Sequence, residues 1–454
     1  MELKDVLIRQ KTYFNTNKTK SVAFKKAQLL KLKHMITTHE KEIYDALYQD
    51  LNKSEMESYL TELSIVYSEL NDAIKNVEKW SKPALKKVPL HLIGSYSYTM
   101  KEPYGAALIL SPWNYPVQLA LAPLVGCLAA GNTAILKCSK SSLATSTLIY
   151  NLINTTFSPE IVYCVDPKFD YNELMRYRYD YIFFTGSESV GKTIMKTAAK
   201  SLTPISLELG GKSPTFVTKD ADINLAAKRI VWAKLLNAGQ TCVAPDYVLV
   251  DQEVKEEFIK KVLEQIEKQC PQGIQNPSYP KIINGKHYLR LKALIDNEPY
   301  KTTPTFEDTS LKIGLTLFTN CSFSSEVMKE EIFGPILPIL TYKKLQTAIN
   351  VVKSKPKPLA CYVFTRNKLV ANHILNDLSF GGGCVNDCVM HLANHHLPFG
   401  GVGQSGMGHY HGKYSFDTFS HEKAIQNNSF LLDVPMRYAR NNERAFKLVK
   451  ALIK

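Results

Sequence analysis

The sequence predicts an α/β protein whose first large unit is a doubly wound parallel sheet. Continuous apolar runs occur at 106–110, 133–137, 161–165 and 181–185, and a helix-like segment separates each run from the next. Uninterrupted apolar strands are typical of sheets buried on both faces, and strand–helix alternation indicates parallel strands. Ligands of such sheets bind beyond the carboxyl ends of the strands, so we expect a binding site there.

The segment before this sheet is predicted to be helical. Apolar residues recur every three or four positions within 20–49 and 55–80, on otherwise charged segments, as in amphipathic helices. Pro83 and Pro89 interrupt the pattern, and 95–101 is short, aromatic and β-prone. We therefore expect a strand at 95–101 that lies outside the main sheet.

A second α/β unit is predicted after the first. Strand–helix alternation resumes from about residue 207 to residue 391, with candidate strands at 247–250 and 360–364. The last sixty residues are rich in glycine and aromatic residues and end in a basic tail. A chain of 454 residues also exceeds what one hydrophobic core usually supports, so two or three structural units are expected.

Composition excludes several classes of protein. With 45% hydrophobic and 22% charged residues, 22 Gly and 22 Pro, the chain is neither collagen-like nor low-complexity. The longest apolar stretch, 117–130, is interrupted by Gln118, Pro123 and Gly126 and is too short to cross a bilayer. The charged amino terminus lacks a signal core, and nine scattered cysteines fit reduced thiols. We therefore expect a cytoplasmic protein.

The net charge of +14 raises the question of a nucleic-acid partner. The Lys and Arg residues are spread along the chain, and neither an RNP-like aromatic motif nor zinc-finger spacing accompanies them. We therefore expect a basic, soluble surface and no nucleic-acid binding.

One motif points to a different enzyme class. Residues 186–193 (GSESVGKT) match the P-loop pattern of NTPases, between a predicted strand and a predicted helix. No apolar strand ending in Asp follows in a context suited to magnesium. A glycine turn that opens a helix also exposes backbone N–H groups to the pyrophosphate of a dinucleotide. We favour the dinucleotide interpretation over the NTPase alternative.

Five ordered motifs carry a resemblance to a known family. They are SPWNYP at 111–116, LELGGKSP at 207–214, GQTCVAPD at 239–246, EEIFGP at 330–335 and LPFGGVGQSGMG at 397–408. Together they closely resemble the aldehyde dehydrogenase superfamily over nearly the whole chain. The continuation HYHGKYSF at 409–416 is similar to the class 3 branch, which acts largely on hydrophobic aldehydes. The resemblance implies a Rossmann-like cofactor domain, an α/β catalytic domain and a small β bridging or oligomerisation sheet.

The resemblance also implies the catalytic residues. Oxidation of an aldehyde by hydride loss first requires a tetrahedral adduct, and a thiolate is the side chain best suited to form it. Cys242 matches this nucleophile, and the Asn114 amide and the Cys242 backbone N–H match the donors to the oxyanion. Glu208 matches the general base that activates water against the resulting thioester, with Glu331 as the alternative base.

The implied cofactor is NAD or NADP. The residues that match dinucleotide contacts in the family are Ser111, Lys137, Gly186, Ser187 and Val190, and those that match nicotinamide contacts are Glu331 and Phe333. Ser187 is expected at the pyrophosphate.

Lys140 departs from the family pattern. Relatives usually carry a glutamate here, which accepts hydrogen bonds from the adenosine ribose, whereas this chain reads Lys137-Cys138-Ser139-Lys140. The lysine removes that acceptor and the charge that repels a 2′-phosphate. We therefore predict that NADP is used at least as well as NAD. The alternative is that Lys140 points to solvent and NAD binds through other contacts.

A second departure lies near the expected adenine position. Family members commonly have Gly-Gly after the strand at 161–165, and this chain has Asp166-Pro167, where proline restricts the backbone and Asp adds charge. In one interpretation, the change narrows the adenine pocket or weakens dinucleotide binding. It keeps open a second hypothesis, a relative with weak catalysis that serves a binding or structural role.

The expected substrate is a hydrophobic aldehyde, aliphatic or aromatic. Trp113, Tyr115 and Trp232 are predicted to line an apolar tunnel. No metal is expected: the side chains of Cys384, Cys388, His391, His395 and His396 are of metal-ligand types, but their spacing matches no standard structural zinc site.

The predicted domains follow from the resemblance. Residues 1–82 and 102–207 form the cofactor domain, 208–393 the catalytic domain, 83–101 and 394–430 the bridging sheet, and 431–454 a basic tail. The bridging sheet pairs across a homodimer in this family.

The tail carries a second open question. Residues 437–454 contain six Lys or Arg and one Glu, with apolar residues at helical spacing. We favour a solvated or dimer-packed helix. The alternative is peripheral contact with an anionic membrane at its inner face, which would suit aldehydes that partition into lipid.

Overall fold

The computed structural model describes residues 2–298, 302, 304–431, 438 and 442–453. Over these residues the chain forms two six-stranded sheets, a three-stranded sheet and a two-stranded ribbon, with helices packed against the sheets. The predicted α/β class is confirmed.

Helices fill the amino-terminal segment and then alternate with strands. In chain order they are α1 (Leu3–Asn15), α2 (Val22–Thr38), α3 (Glu40–Leu51), α4 (Glu55–Ser58), α5 (Ser64–Ser81), α6 (Gln118–Ala130), α7 (Leu143–Thr156), α8 (Tyr171–Leu174), α9 (Glu188–Ala199), α10 (Ile223–Leu235), α11 (Lys255–Gln269), α12 (Gly285–Asp296), α13 (Leu345–Lys353), α14 (Lys368–Asp377), α15 (Lys413–Thr418) and α16 (Glu443–Ile453). A π-helical turn, Tyr59–Leu63, joins α4 to α5. The helices predicted over 20–49 and 55–80 are therefore present, each divided into shorter helices.

The strands of the four sheets are spread along the chain from residue 84 to residue 428. In order they are β1 (Ala84–Lys86), β2 (Ser95–Pro103), β3 (Ala106–Leu110), β4 (Thr133–Lys137), β5 (Val162–Cys164), β6 (Tyr181–Gly186), β7 (Ile205–Leu209), β8 (Pro214–Val217), β9 (Tyr247–Asp251), β10 (Phe306–Glu307), β11 (Lys312–Ile313), β12 (Thr316–Phe318), β13 (Ile336–Tyr342), β14 (Ala360–Phe364), β15 (Gly382–Val385), β16 (Gly406–Met407) and β17 (Ser420–Asn428). The four strands predicted in the first unit and the strands at 247–250 and 360–364 are all present.

The first large sheet has the order β16-β7-β6-β3-β4-β5, and its strands are parallel except for β16. Every residue of β3 and β4 is buried, and so is every residue of the adjacent helix α6. A helix that is apolar on all sides belongs in a core. Burial in this core therefore accounts for the long apolar stretch at 117–130.

The second large sheet has the order β12-β13-β9-β8-β14-β15 and is parallel throughout. The chain passes from β7 in the first sheet to β8 in the second through Gly210 and Gly211. A side chain at Gly210 would collide with the carboxyl group of Glu331. The two sheets therefore meet at a tightly packed crossing, beside Glu208 in β7.

The predicted domain boundary between 207 and 208 falls inside a strand. β7 runs to Leu209, and Glu208 pairs with Thr185 of β6 in the first sheet. Backbone pairing continues past the boundary that the resemblance implied, so Glu208 is part of the first sheet.

The three-stranded sheet is antiparallel, with the order β1-β2-β17. The strand predicted at 95–101 is present as β2, and β17 pairs with its full length. However, 394–419 does not join this sheet as predicted. β16 pairs instead with β7 in the first large sheet, because Gly406 has a φ of 135° and no side chain to collide with the Leu207 carbonyl.

The last helix, α16, contacts a short turn at Leu90–Leu92. Within the described part of the chain, no helix is long and apolar enough to span a bilayer. Much of the predicted tail, including Arg437 and Arg440, lies outside the described residues.

Candidate active site

The Cys242 loop leaves α10 through an unusual backbone turn. Asn237 and Ala238 have φ values of 50° and 49°, and Gly239 has a φ of 72°. Left-handed residues other than glycine are uncommon and cost free energy, so the surrounding structure must hold them. A side chain at Gly239 would collide with the Gly334 carbonyl. This packing fixes the loop in position just before Cys242.

Cys242 is half-buried, and its thiol lies within electrostatic range of two carboxyl groups. Burial, with a smaller contribution from the carboxyl groups of Glu331 and Glu208, raises the pKa of the Cys242 thiol to about 12. Both effects disfavour the thiolate. The thiol is therefore protonated at neutral pH, and it needs a base to become a nucleophile.

Glu208 is an unpaired buried carboxyl group. Its side chain is 2% exposed, and neither carboxyl oxygen has a hydrogen-bond partner among the described residues. Burial raises the pKa of Glu208 well above its ordinary value. An unsatisfied buried carboxyl group is costly for folding, and such groups are concentrated at functional sites.

Glu331 supplies the second carboxyl group near the thiol. Burial and the neighbouring charge of Asp246 raise the pKa of Glu331 to about 8. Two carboxyl groups with raised pKa values thus lie within electrostatic range of one thiol, and a carboxyl group whose pKa is raised is better suited to general acid–base catalysis than an ordinary one.

Asn114 approaches the Cys242 loop from the end of β3. Its side-chain amide donates to the Gln240 carbonyl at 3.1 Å, two residues before Cys242. Its own backbone carbonyl accepts hydrogen bonds from the side chains of Asn237 (2.8 Å) and Lys53 (3.0 Å). The Asn114 amide is therefore held beside the loop that carries the thiol.

A cavity of about 720 Å³ opens onto Cys242. Tyr115 and Trp232 line it, and the Tyr115 hydroxyl is 2.5 Å from the Thr241 hydroxyl. The wall is completed by residues from distant segments that the sequence analysis did not identify, among them Met56, Leu60, Phe399, Tyr410 and His411.

Trp113 differs from the prediction. It is absent from the described lining of this cavity, and its ring instead packs on His287 (5.1 Å between centroids) and edge-on to Phe333 (5.4 Å). Residues 113–115 form a bend rather than an extended strand, so the alternation that would place residues i and i+2 on one side does not apply, and Trp113 and Tyr115 need not share a wall. Trp113 lies with Phe333, which is a predicted nicotinamide contact.

The residues predicted for the cofactor gather at the carboxyl ends of adjacent strands. Ser111 follows β3, Lys137 ends β4, Gly186 ends β6, and Ser187 precedes α9, whose first turn contains Val190. The Ser111 hydroxyl is buried without a partner among the described residues. The first turn of α9 also presents free backbone N–H groups, which suit a pyrophosphate.

Two side chains complete this region. The Lys137 ammonium donates to the carbonyls of Cys138 (3.0 Å) and Pro167 (2.7 Å), so the unusual Asp166-Pro167 pair contacts the site directly. Lys140 is exposed beyond β4.

The P-loop alternative does not fit this geometry. A single residue, Ser187, separates β6 from α9, so the remainder of the motif is helical rather than a phosphate-cradling loop. Lys192, which would reach the phosphates, is exposed on the helix and pairs with Glu188 at 2.6 Å. The NTPase interpretation is therefore rejected.

The cysteine–histidine cluster lies near the cavity wall. Cys384 contacts His391 (3.6 Å between Sγ and Nδ1), and His395 contacts Ser68 (3.0 Å). In the described residues, no group of three or more His, Cys, Asp or Glu side chains is arranged to hold a metal ion.

Comparison with known proteins agrees with this site. A sequence profile of the aldehyde dehydrogenase family matches residues 5–425. The chain is 44% identical over 448 residues to 4,4'-diaponeurosporen-aldehyde dehydrogenase of Staphylococcus aureus, covering 98% of this chain and 97% of the relative. It is 39% identical over 419 residues to aldehyde dehydrogenase family 3 member A2 of Mus musculus (92% and 87% covered).

A solved structure, described as the substrate-bound state of Staphylococcus aureus AldH, superposes on the whole chain. The TM-score is 0.97 at 42% identity, with 100% of both chains covered. The match extends over both large sheets and the site between them. This protein therefore belongs to the aldehyde dehydrogenase family, close to its class 3 members, and is an NAD(P)-dependent aldehyde dehydrogenase.

Proposed function

We propose that the enzyme oxidises a hydrophobic aldehyde, aliphatic or aromatic, to its carboxylic acid through a thiohemiacetal and a thioester on Cys242. The observation that carries the proposal is the position of Cys242 at the wall of a largely apolar cavity, with the carboxyl groups of Glu208 and Glu331 near its thiol.

Attack on the aldehyde begins with removal of the thiol proton. A buried carboxylate accepts this proton, and the Cys242 sulfur then bonds to the carbonyl carbon. The Asn114 side-chain amide and the Cys242 backbone N–H donate hydrogen bonds to the oxyanion that forms. Asn114 is suited to this role because its amide already lies beside the Cys242 loop.

The residues at the strand ends fit NAD(P). The unpartnered Ser111 hydroxyl and the free N–H groups at the start of α9 suit the dinucleotide phosphates, and Glu331 and Phe333 are the residues to hold the nicotinamide ribose and ring. The bound cofactor supplies the acceptor for the hydride that the thiohemiacetal loses. The chain's own contribution is to orient that acceptor towards Cys242.

Hydrolysis of the thioester again requires a carboxylate, this time as the base that activates water. Glu208 accepts a proton from water, which attacks the carbonyl carbon and releases the acid and the Cys242 thiol. Glu208 has no competing hydrogen bond among the described residues, so both of its oxygens can accept one from a water molecule that enters the site.

The shape of the cavity supports the substrate class. Its lining includes Met56, Leu60, Ile65, Trp232 and Phe399, and apolar walls favour apolar substrates. The name of the Staphylococcus aureus relative, which refers to a diaponeurosporen aldehyde, supports a large apolar aldehyde as well.

A reduced-cofactor absorbance assay with hexanal and decanal tests this function and the cofactor preference together. We expect turnover with both cofactors and a KM for NADP no higher than that for NAD, because the exposed Lys140 attracts the 2′-phosphate. Lys140→Glu should raise the KM for NADP about tenfold.

Lys200→Glu, the same charge change at an exposed position at the far end of α9, is the matched control and should leave both KM values unchanged. A wild-type KM for NADP more than tenfold above that for NAD would contradict the cofactor proposal. Absence of turnover with either cofactor would favour the non-catalytic hypothesis based on Asp166-Pro167.

We also propose that the enzyme is a homodimer formed through the three-stranded sheet. β17 is an outer strand of that sheet and runs for nine residues. A long outer strand offers unpaired N–H and C=O groups to another chain.

We further propose a cytoplasmic enzyme. For its basic tail, we propose the membrane contact that the sequence analysis gave as the alternative to a solvated or dimer-packed helix, because apolar side chains of the tail helix are exposed. On α16, Phe446 and Leu448 are 67% and 54% exposed beside Arg444 and Lys447, and basic amphipathic helices bind anionic lipid surfaces. Full-length protein should co-sediment with anionic vesicles more strongly than a chain that ends at residue 436. Equal sedimentation of the two would contradict this contact.

A further inference from the structure

Two oppositely charged side chains are completely buried beside the Asn114 loop. The Lys53 ammonium lies 2.7 Å from Oε1 of Glu62, and neither side chain has exposed surface. Burying two charges costs several kcal/mol per ion in effective desolvation, and a buried pair is weak evidence for stability. A contribution to the free energy of folding therefore does not explain why this buried pair is present.

The remaining contacts of both side chains reach one short segment. Lys53 donates to the Asn114 carbonyl at 3.0 Å, and its ammonium lies 4.0 Å from the centre of the Tyr115 ring. Oε2 of Glu62 accepts hydrogen bonds from the backbone N–H groups of Val117 (2.8 Å) and Gln118 (3.1 Å). The pair thus holds the backbone by hydrogen bonds at Asn114 and at Val117 and Gln118.

The Glu62 carboxylate lies at the amino-terminal end of α6, where a negative charge is stabilised. The first N–H groups of a helix lack partners within the helix and carry partial positive charge. The Glu62 carboxylate satisfies two of them, which anchors the beginning of a wholly buried helix. The segment between the Asn114 carbonyl and the start of α6 is consequently held at both ends.

A local irregularity places Glu62 in this position. It lies in the π-helical turn Tyr59–Leu63, which interrupts the regular helix between α4 and α5. Such turns are rare and frequently occur at functional sites. Lys53 comes from the loop just before α4, so one short stretch of chain supplies both members of the pair.

We propose that Lys53 and Glu62 are positioning residues for the reaction: they hold the Asn114 amide where it meets the oxyanion on Cys242. The proposal rests on the function of Asn114 proposed above. It predicts an effect on the rate of the chemical steps rather than on substrate binding, because neither Lys53 nor Glu62 lines the cavity.

The double variant Lys53→Met/Glu62→Gln removes both charges and leaves the Gln carbonyl as an acceptor for the α6 N–H groups. We expect kcat to fall about 10- to 100-fold, since small displacements of a catalytic group have effects of this size. KM for decanal should stay within about threefold. Lys25→Met is the matched control, because Lys25 is also buried (4% exposed) but bonds Ser81 at 3.1 Å, and it should leave kcat unchanged.

A double-mutant cycle separates positioning from general stability. In an Asn114→Ala background the same pair substitution should change kcat less than about threefold, because the group it positions is absent. An equal loss in both backgrounds, or unchanged kcat in the wild-type background, would overturn the proposal. Glu62→Asp keeps both charges but shortens the side chain that reaches α6. If the double variant does not fold, kcat of Glu62→Asp is the test. A loss of at least about threefold would support the proposal, and an unchanged kcat would reject it.

The cycle also distinguishes this proposal from the one on which it rests. Inactive wild-type enzyme, or full activity of Asn114→Ala, would refute the proposed function or the role of Asn114 and would remove the pair's role with it. A normal wild type and an impaired Asn114→Ala variant, together with a fully active pair variant, would refute the pair's role alone.

Discussion

Replacing Cys242 by serine should lower kcat for decanal oxidation at least about 1,000-fold, the scale seen when an enzyme loses its nucleophile. A serine hydroxyl is a far weaker acid and a poorer nucleophile than a thiol. The environment accentuates the difference, since burial and two neighbouring carboxyl groups already hold the pKa of the thiol near 12. Steady-state absorbance at saturating cofactor measures the loss.

A second cysteine provides the control for this substitution. Cys321 is also a half-buried free thiol, but it lies in a loop after β12, and it contributes no side chain to the cavity. Cys321→Ser should retain kcat within about twofold, as expected for a substitution away from the site. If Cys242→Ser kept more than a tenth of wild-type activity, the nucleophile would have to be another group.

Replacing Glu208 by glutamine should lower steady-state turnover about 100-fold or more while sparing the first turnover. The amide cannot accept a proton from water, so the thioester should accumulate after one equivalent of cofactor has been reduced. Stopped-flow absorbance would show a burst of reduced cofactor followed by a slow phase. A uniform loss of burst and steady state would instead place Glu208 in the first chemical step.

The pH dependence follows from the same carboxyl group. Burial raises the pKa of Glu208 above its ordinary value, and only the ionised form can act as a base. The hydrolytic step of the wild type should therefore keep accelerating as pH rises beyond the range in which an ordinary glutamate is already fully ionised. This dependence should disappear in Glu208→Gln.

Glu331→Gln is the matched variant for the second carboxyl group, whose pKa is about 8. In our account it should alter cofactor KM and hydride transfer, and the thioester should not accumulate. Accumulation in Glu331→Gln but not in Glu208→Gln would assign the hydrolytic base to Glu331 instead.

The sequence predicts those parts of the fold that local patterns control. β3 and β4 are uninterrupted apolar runs because they are buried on both faces, and the pattern therefore shows them directly. The segment 394–419 carries no such pattern. It joins the first sheet through the backbone geometry of Gly406, a property of three-dimensional packing that strand propensity does not reveal.

The residues of the site also divide into those that local motifs reveal and those that only the fold brings together. Cys242 and Glu208 stand in recognisable motifs, so resemblance is enough to single them out. Lys53 and Glu62 look like ordinary charged residues of amphipathic helices, and their contacts with 114–118 span more than fifty residues of sequence. Only the folded chain brings them together. Trp113 and Tyr115 share one motif, yet they pack in different places because the backbone bends at 113–115.

The most direct test of the account is to identify the acylated residue. Glu208→Gln enzyme would be mixed with NADP and decanal, quenched in acid, digested and examined by mass spectrometry. We predict a decanoyl thioester on the peptide that contains Cys242 and unmodified peptides for the other eight cysteines. A burst of cofactor reduction without acylation, or acylation at another residue, would contradict covalent catalysis by Cys242.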